Sequence, residues 1–437
     1  MGTARRNIKI TVIVTIHNAE KYLEECLNSV INQTFPGIEI LCVDGGSTDS
    51  SPQILKEYAM KDDRIRIIND SNTSYGHKVN EGIRQARGEY ISVLESDDMY
   101  QSDMLEQLYR IVKKYEPDYV NGDYFNVFDI NGKHFQLHVK MYPESDYGRF
   151  LESGKHPEDM RQILRYWTGI FKRDFLIENG IWMNESPGAS FQDMSFRFLT
   201  SALADTAYHL DSPVYLYRVD NPESSVYNPK KAVAIVDEFD FLKKELLKRN
   251  IENPYIWQHF YTWKYNDFYG NLIRFDDEAR KALFERCYYE LETDREVLLL
   301  FQEKLLSKAI YKLLKKSKEE VWKDIEETYR QNQKREQERY TLLKNLEENQ
   351  IVIFGCGIRG NNTLDYLKSV GVENRIACFT DNSEELWGTE IKNHHVLSPE
   401  EAVKKYPDSL YLVANKYHGD EIYSQLLKSG IKKIMRF

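Results

Sequence analysis

The stretch YISVLESDDMY, Tyr90 to Tyr100, decides how the N-terminal half of this sequence folds. Its opening residues read as a buried strand, and three carboxylates, Glu95, Asp97 and Asp98, follow within four positions. Like charges so close together repel unless something neutralises them. Carboxylates at i and i+2 can converge on one hard cation, and Mg²⁺ or Mn²⁺ prefers a few carboxylates together with diphosphate oxygens. The following helix has its own candidate cap at Ser102, so capping does not require the acids. On spacing alone the cluster reads equally well as a polar loop after a strand.

Working outward, short apolar runs alternate with helical patterns from residue 8 to about 225. KITVIVTI is a strand, Asn18 stands at a helix N-cap position, and Tyr22, Leu23, Cys26, Leu27 and Val30 form one helical face. Ile38 to Asp44 is a second strand, Ser50 to Met60 a second helix, Arg64 to Asp70 a third strand and Lys78 to Ala86 a third helix. This alternation predicts a parallel α/β sheet, in which ligands bind beyond the carboxyl ends of the strands. Asp44 and the acidic trio both stand at such ends. In CVDGGSTDSS, Gly45 and Gly46 permit a tight turn and Ser47 to Asp49 can start a helix, while Asp44 could accept hydrogen bonds from a nucleobase or ribose.

From about 226 to 349 the pattern turns helical. Tyr255 to Phe275 holds nine aromatics in 21 residues, which reads first as helix packing and second as a carbohydrate-stacking surface. Phe301 to Lys318 carries six lysines and one glutamate around an apolar stripe. Such a segment suits a solvated helix, or a face resting on anionic lipid. The charged run after it reads as a solvated helix linking two bodies, and it offers a surface through which chains could pair as a homo-oligomer. Residues 350–437 restart α/β alternation as a small Rossmann-like domain. Within it GCGIRG, with Gly355, Gly357 and Gly360, follows a strand and precedes a helix, and Asp381 ends the next strand. The expected division is therefore 1–225, 226–349 and 350–437.

Bulk properties narrow the function. The net charge of −10 argues against a general nucleic-acid binder. Five scattered cysteines form no disulfide framework and no zinc pattern, which suits a reducing cytoplasm. The apolar run Ile10 to Ile16 is too short and too soon polar for a signal peptide, and no apolar stretch reaches the roughly 20 residues needed to span a bilayer. The expected location is cytoplasmic, with peripheral contact at the inner membrane face as the variant.

IVTIHNAEKYLEECLNSVINQTFPGIEILCVDGGSTDSS, followed by SYGHKVNEGIRQARGEYISVLESDD, resembles the nucleotide-binding half of a family 2 glycosyltransferase with the GT-A fold. The resemblance implies a nucleotide-diphosphate sugar donor, commonly a UDP-sugar, and a metal-dependent inverting transfer in bacterial polysaccharide assembly. It places Asp44 at the base-recognising acid, Asp97 at the principal ligand of Mn²⁺ or Mg²⁺, Asp98 beside it and Glu95 at the motif's first acid. Thr15, His17, Asn18, Lys78 and Ser96 fall among its donor-binding positions. SPGASFQDMSFRF matches the segment carrying the catalytic base, with Asp193 at the base position and Gln192 where Glu is commoner; on position alone Asp193 reads as a helix N-cap. YRVDNPESSV matches the segment whose Arg and Ser contact the diphosphate, here Arg218 and Ser224, with a structural salt bridge as the competing reading of Arg218. The sequence departs from the family pattern at Gly45 (usually Asp), at Thr15 and His17 (usually Pro and Tyr), at Glu95 (usually Asp), and at Lys78, which stands for an arginine usually found just before Asn80. The acceptor implied is a glycan or a lipid-linked saccharide.

Three other classes compete. A nucleotidyltransferase would follow its first strand with a glycine- and lysine-rich loop, but TIHNAEKY contains no glycine. A dehydrogenase built on GCGIRG would leave residues 1–225 unexplained, so NAD is not expected. A non-catalytic assembly protein retaining the fold is the third. The small C-terminal domain is expected to serve as a scaffold, or to bind a nucleotide sugar or dinucleotide.

Overall fold

The structure is a computed structural model that describes residues 7–130, 133–151, 163–222, 228–301, 313–415 and 418–436. It divides into two compact units. One comprises residues 1–126 and 138–329, the other residues 127–137 and 330–437.

The first unit is built on β1 (Ile10–Ile16), β2 (Ile38–Asp44), β3 (Ile65–Asn69) and β4 (Tyr90–Glu95). Every residue of β1 and β2 is buried, as a strand covered by helices on both faces requires. β1 pairs in parallel with β2 and β4, and β2 with β3, so the order is β3-β2-β1-β4. The register sets Ile16 opposite Asp44, Thr15 opposite Glu95 and Asp44 opposite Asn69. The predicted parallel core and its shared carboxyl edge are therefore present. Beyond β4 the ten-stranded sheet turns antiparallel through β9 (Gly169–Lys172), β6 (Tyr119–Ile130) and β10 (Ala207–Arg218), the last pairing with β5 (Met99–Tyr100).

The helices follow the predicted stripes with shifted ends. α1 (Leu23–Ile31) buries Leu23, Cys26, Leu27 and Val30. Asn18 is not its cap: Asn18 has φ of 51° and the helix starts five residues later. α2 spans Ser51–Lys61. α3 (Tyr75–Gln85) begins three residues before the expected start because Ser74 caps it, accepting from the His77 N–H. α4 (Met104–Tyr115) starts after Asp103, not from a Ser102 cap.

Further along come α5 (Arg173–Glu178), α6 (Asp193–Leu203), α7 (Ala234–Lys248), α8 (Pro254–Leu272) and α9 (Asp277–Leu300). The aromatic segment is α8, and most of its rings pack inward, Tyr255 excepted. Phe260 and Trp263 meet Phe198 and Phe239 in edge and stacked geometry, within one continuous core shared with the sheet. That is the packing reading. Residues 302–312 of the lysine-rich segment, and Ser224, lie outside the described residues. Among the described residues no helix is long and apolar enough to cross a membrane.

The second unit holds a six-stranded sheet of order β13-β14-β12-β11-β15-β16, from β11 (Ile351–Phe354), β12 (Ile376–Thr380), β13 (Glu390–Ile391), β14 (His394–Leu397), β15 (Leu410–Val413) and β16 (Ile434–Arg436). All pairs are parallel except β13 with β14. One face is closed by a core that includes Leu364, Leu367 and, from the 127–137 segment, Phe135; the other by Ala402, Ile422 and Leu426.

Candidate active site

The carboxyl edge of β1, β2 and β4 gathers the expected residues. Asp44 is buried and accepts from the Ser47 hydroxyl at 2.6 Å and the Ser47 N–H at 3.0 Å, which shapes the turn after β2. Asn18 ties the facing turn to it, its amide oxygen accepting from the Thr48 N–H at 2.8 Å. The ring of exposed His17 lies 3.1 Å from the Gly45 carbonyl through Nδ1.

Gly45 and Lys78 explain each other. A Cβ on Gly45 would fall 2.9 Å from Lys78 Cδ, 3.2 Å from its Nζ and 3.0 Å from the Asn72 carbonyl oxygen. The space a second aspartate would occupy is filled by the buried lysine stem. Burial holds the Lys78 ammonium below its usual pKa, while the charges of Glu95 and Asp44 pull it back up. Its Nζ donates to the carbonyl of Ile16, the residue opposite Asp44 at the carboxyl edge, at 3.3 Å.

Glu95 is a locked group. Its Oε1 accepts from the Tyr75 hydroxyl at 2.5 Å and from the Tyr166 hydroxyl, and its Oε2 from the Thr15 hydroxyl at 3.3 Å. Burial pushes its carboxyl up to about 7; the three hydrogen bonds oppose that and the Asp97 charge adds to it. Asp98 is buried too, accepting from the Arg218 N–H at 2.7 Å and the Tyr215 hydroxyl at 2.9 Å, and burial drives its pKa well up. Both oxygens of Asp98 are thus engaged inside the protein. Half-buried Asp97 accepts from the Asn221 side chain at 2.8 Å through one oxygen, and Ser96 beside it is also half-buried.

Arg218 makes the salt bridge of the competing reading. Its Nε donates to the Asp97 carbonyl at 3.0 Å, its Nη2 to Glu25 at 2.5 Å, and its guanidinium lies 4.6 Å from the centre of the Tyr22 ring. It braces the acidic turn from behind.

Asp193 is the first residue of α6, not its cap, and pairs with buried Arg197 at 3.1 Å. Tyr166, whose hydroxyl holds Glu95, meets Phe196 of α6 edge-on with ring centres 6.4 Å apart, and Arg197 of α6 donates to the Leu164 carbonyl at 2.9 Å. The helix that carries Asp193 thus packs against the segment that holds Glu95. The loop before it is folded by Gln192, whose side chain accepts from the Ser190 N–H and donates to the Gly188 carbonyl. Across the cleft the Tyr75 N–H donates to the Gly188 carbonyl at 2.8 Å. A Cβ on Gly76 would fall 1.9 Å from the Asn184 carbonyl oxygen, so only glycine lets α3 approach this loop.

Sequence reasoning missed Tyr75, Tyr166 and Tyr215, which position the acids. Tyr75 stands inside a quoted motif, but nothing local marks its hydroxyl. Tyr166 and Tyr215 come from segments 70 residues or more away from the acids they hold, and no local pattern reports them.

In the second unit, Gly355 has φ of 123° and its N–H donates to the Thr380 carbonyl. Gly360 packs against the Gly355 carbonyl, and Gly357 precedes the helix Ile358–Ser369. Asp381 accepts from the Cys356 N–H at 2.8 Å and the Ser383 N–H at 3.0 Å. The loop thus has the glycine geometry expected of it, with its acid already bonded to it.

Among the described residues no group of three or more His, Cys, Asp and Glu side chains is arranged to hold a metal ion by itself.

Residues 11–174 match the family model described as "Glycosyl transferase family 2", and residues 347–435 match "C2185-like, N-terminal". Glycosyltransferase GlyA of Streptococcus pneumoniae serotype 4 is 30% identical over 236 residues, covering 52% of this chain and 33% of that protein. The putative glycosyltransferase EpsH of Bacillus subtilis is 31% identical over 215 residues, covering 48% of this chain and 60% of that protein. The chain thus spans from a third to three fifths of the length of these two relatives. Among solved structures, S. aureus TarS 1-349 in complex with UDP-GlcNAc aligns with a TM-score of 0.53 at 21% identity, covering 74% of this chain and 92% of that one. That likeness concerns the fold.

Proposed function

We propose, from the family 2 glycosyltransferase domain that residues 11–174 form, that the chain transfers a sugar with inversion from a UDP-sugar to a glycan or lipid-linked acceptor. Assembly of a cell-surface polymer is the setting we infer; relatives include a poly(ribitol-phosphate) beta-glucosyltransferase of Bacillus spizizenii and a chondroitin synthase of Escherichia coli. The observation that carries the reading is that Asp44 and Glu95 end the strands on either side of β1 at one carboxyl edge, while Tyr75 and Tyr166 bond Glu95 and Tyr75 also bonds the loop that leads to Asp193.

Each group has a task in that reaction. Asp44, at the end of β2, receives the base or ribose of the donor. Asp193 accepts the proton of the acceptor hydroxyl as its oxygen bonds to the anomeric carbon, and the carbon–diphosphate bond breaks on the opposite face. Arg197 orients the Asp193 carboxylate. Tyr75 and Tyr166 keep Glu95 in place, so the turn that carries Asp97 is rigid.

A divalent cation fits Asp97 better than Asp98. Asp97 is half-buried and bonded through one oxygen, whereas both oxygens of Asp98 are taken. With Asp97 offering one carboxylate from the turn, the diphosphate would supply further ligands, in keeping with the preference of Mg²⁺ and Mn²⁺ for phosphate and few protein groups. Such a cation, when bound, would neutralise charge developing on the leaving group.

The test follows UDP release from UDP-sugars and UDP affinity with and without Mn²⁺. Asp193→Asn is expected to leave UDP affinity near that of the wild type and to lower turnover by about 10²- to 10⁴-fold. Asp97→Asn is expected to remove the metal dependence of UDP binding. Full turnover by Asp193→Asn, or unchanged metal dependence in Asp97→Asn, refutes the corresponding assignment.

A further inference from the structure

Asp193 follows a loop, residues 184–192, whose middle is held by the Tyr75 N–H on the Gly188 carbonyl and Lys231 on the Ala189 carbonyl. The loop is closed at its neck by the Asn184 N–H donating to the Gln192 carbonyl at 3.1 Å, one residue before Asp193. Two elements secure the neck from outside: α3, whose Asn80 and Arg84 donate to Glu185 at 2.9 and 3.0 Å, and α7, whose Glu238 holds the residues on either side of Glu185. Glu238 is 3% exposed and accepts from the Asn184 side-chain amide with both oxygens, at 3.1 and 3.0 Å, and from the Ser186 hydroxyl at 2.6 Å. A buried carboxylate without a countercharge is costly, and among the described residues no lysine or arginine pairs with it. Burial pushes its carboxyl up to about 7; the two donors pull it down, and the charges of Asp193 and Asp237 raise it. Packing alone would be served as well by an uncharged side chain. Asn184 meanwhile presses its carbonyl against Gly76, next to Tyr75, so the neck gripped by Glu238 also meets the donor-side helix.

We infer that Glu238 is a positioning residue for the transfer reaction: by gripping Asn184 and Ser186 it sets the direction from which Asp193 faces the donor. The inference rests on Asp193 being the base, and it makes α7, outside the matched family segment, part of the catalytic device.

The experiment uses the full chain, UDP as donor-site probe, and UDP release from UDP-glucose, UDP-galactose and UDP-GlcNAc with Mn²⁺ and water as acceptor. Glu238→Ala is expected to lower UDP release 10- to 100-fold, on the order of one misplaced catalytic group, with UDP affinity and donor KM within twofold of the wild type. Glu238→Gln, which keeps one acceptor oxygen, is expected to fall between. In an Asp193→Asn background, Glu238→Ala is expected to cost nothing further. Hydrogen exchange at 184–192 is expected to quicken at least tenfold in Glu238→Ala while α3 keeps its protection, a readout that needs no turnover. The inference is overturned by unchanged exchange in that loop, by wild-type turnover, by equal losses in both backgrounds, or by lost UDP binding. Wild-type turnover of Asp193→Asn alone would instead refute the base assignment, a distinguishable result.

Discussion

A methyl group added at Gly45 lands 2.9 Å from Lys78 Cδ and 3.0 Å from the Asn72 carbonyl oxygen, both tighter than ordinary carbon contacts. Gly45→Ala therefore tests whether the departure from the family pattern at this position is compensated by Lys78. Lys78 cannot swing into water freely: it is 4% exposed, and its Nζ donates to the Ile16 carbonyl at 3.3 Å. Forcing it aside belongs with overpacking, which costs about 1–3 kcal/mol. Truncating the lysine stem removes the contacts to Cδ and Nζ and leaves only the Asn72 contact. In a Lys78→Ala background the same Gly45→Ala change is then expected to cost less than about 1 kcal/mol, giving a coupling of about 1–2 kcal/mol. Urea unfolding of the four proteins of the cycle measures it, with equal m-values required for the comparison. Costs that add to within about 0.5 kcal/mol would refute the idea that Lys78 fills the vacated aspartate space.

Other outcomes follow from the same structure. His209 is buried, stacked on Tyr142 at 3.6 Å between ring centres, and held by burial at a pKa of about 3. The native state then binds fewer protons than the unfolded chain between about pH 6.5 and 3, so stability falls on acidification through that window. His209→Gln is expected to flatten the slope in acid unfolding curves; an unchanged slope would place the effect elsewhere. Lys264 is fully buried and donates to Glu290 and Asp294, both at 2.7 Å. Lys264→Met strands these carboxylates and is expected to cost about 3–5 kcal/mol in urea unfolding, whereas a cost below 1 kcal/mol would show that Lys243 alone satisfies Asp294. Truncation after residue 349 removes Ile351, Ile353 and Leu364 from the core that buries Phe135. The shortened chain is expected to self-associate in light scattering, and a monodisperse monomer would contradict this.

The sequence by itself determined the local chemistry and the parallel alternation of the core, while the strand order β3-β2-β1-β4 came from the structure. Short apolar runs rich in Ile and Val read as buried strands, alternation with helices makes them parallel, and a carboxylate at the end of such a run stands at the ligand edge. Asp44, Glu95 and Asp97 were legible for that reason, and so were the apolar stripe of α1 and the inward rings of α8. Helix starts were less legible, since a cap depends on the path of the chain entering the helix: Ser74 caps α3 but Asn18 does not cap α1.

Only the tertiary structure decided which acids are free and which are held. Glu95, Asp97 and Asp98 read alike along the chain, but Tyr75 and Tyr166 lock the first, Asn221 touches the second, and Tyr215 with the Arg218 backbone engages the third. Arg218 became a brace, and Glu238 an anchor, through partners far away in sequence. A hydrogen bond depends on where two side chains meet in space, and residues separated by 20 to 193 positions share no pattern that a linear reading can detect.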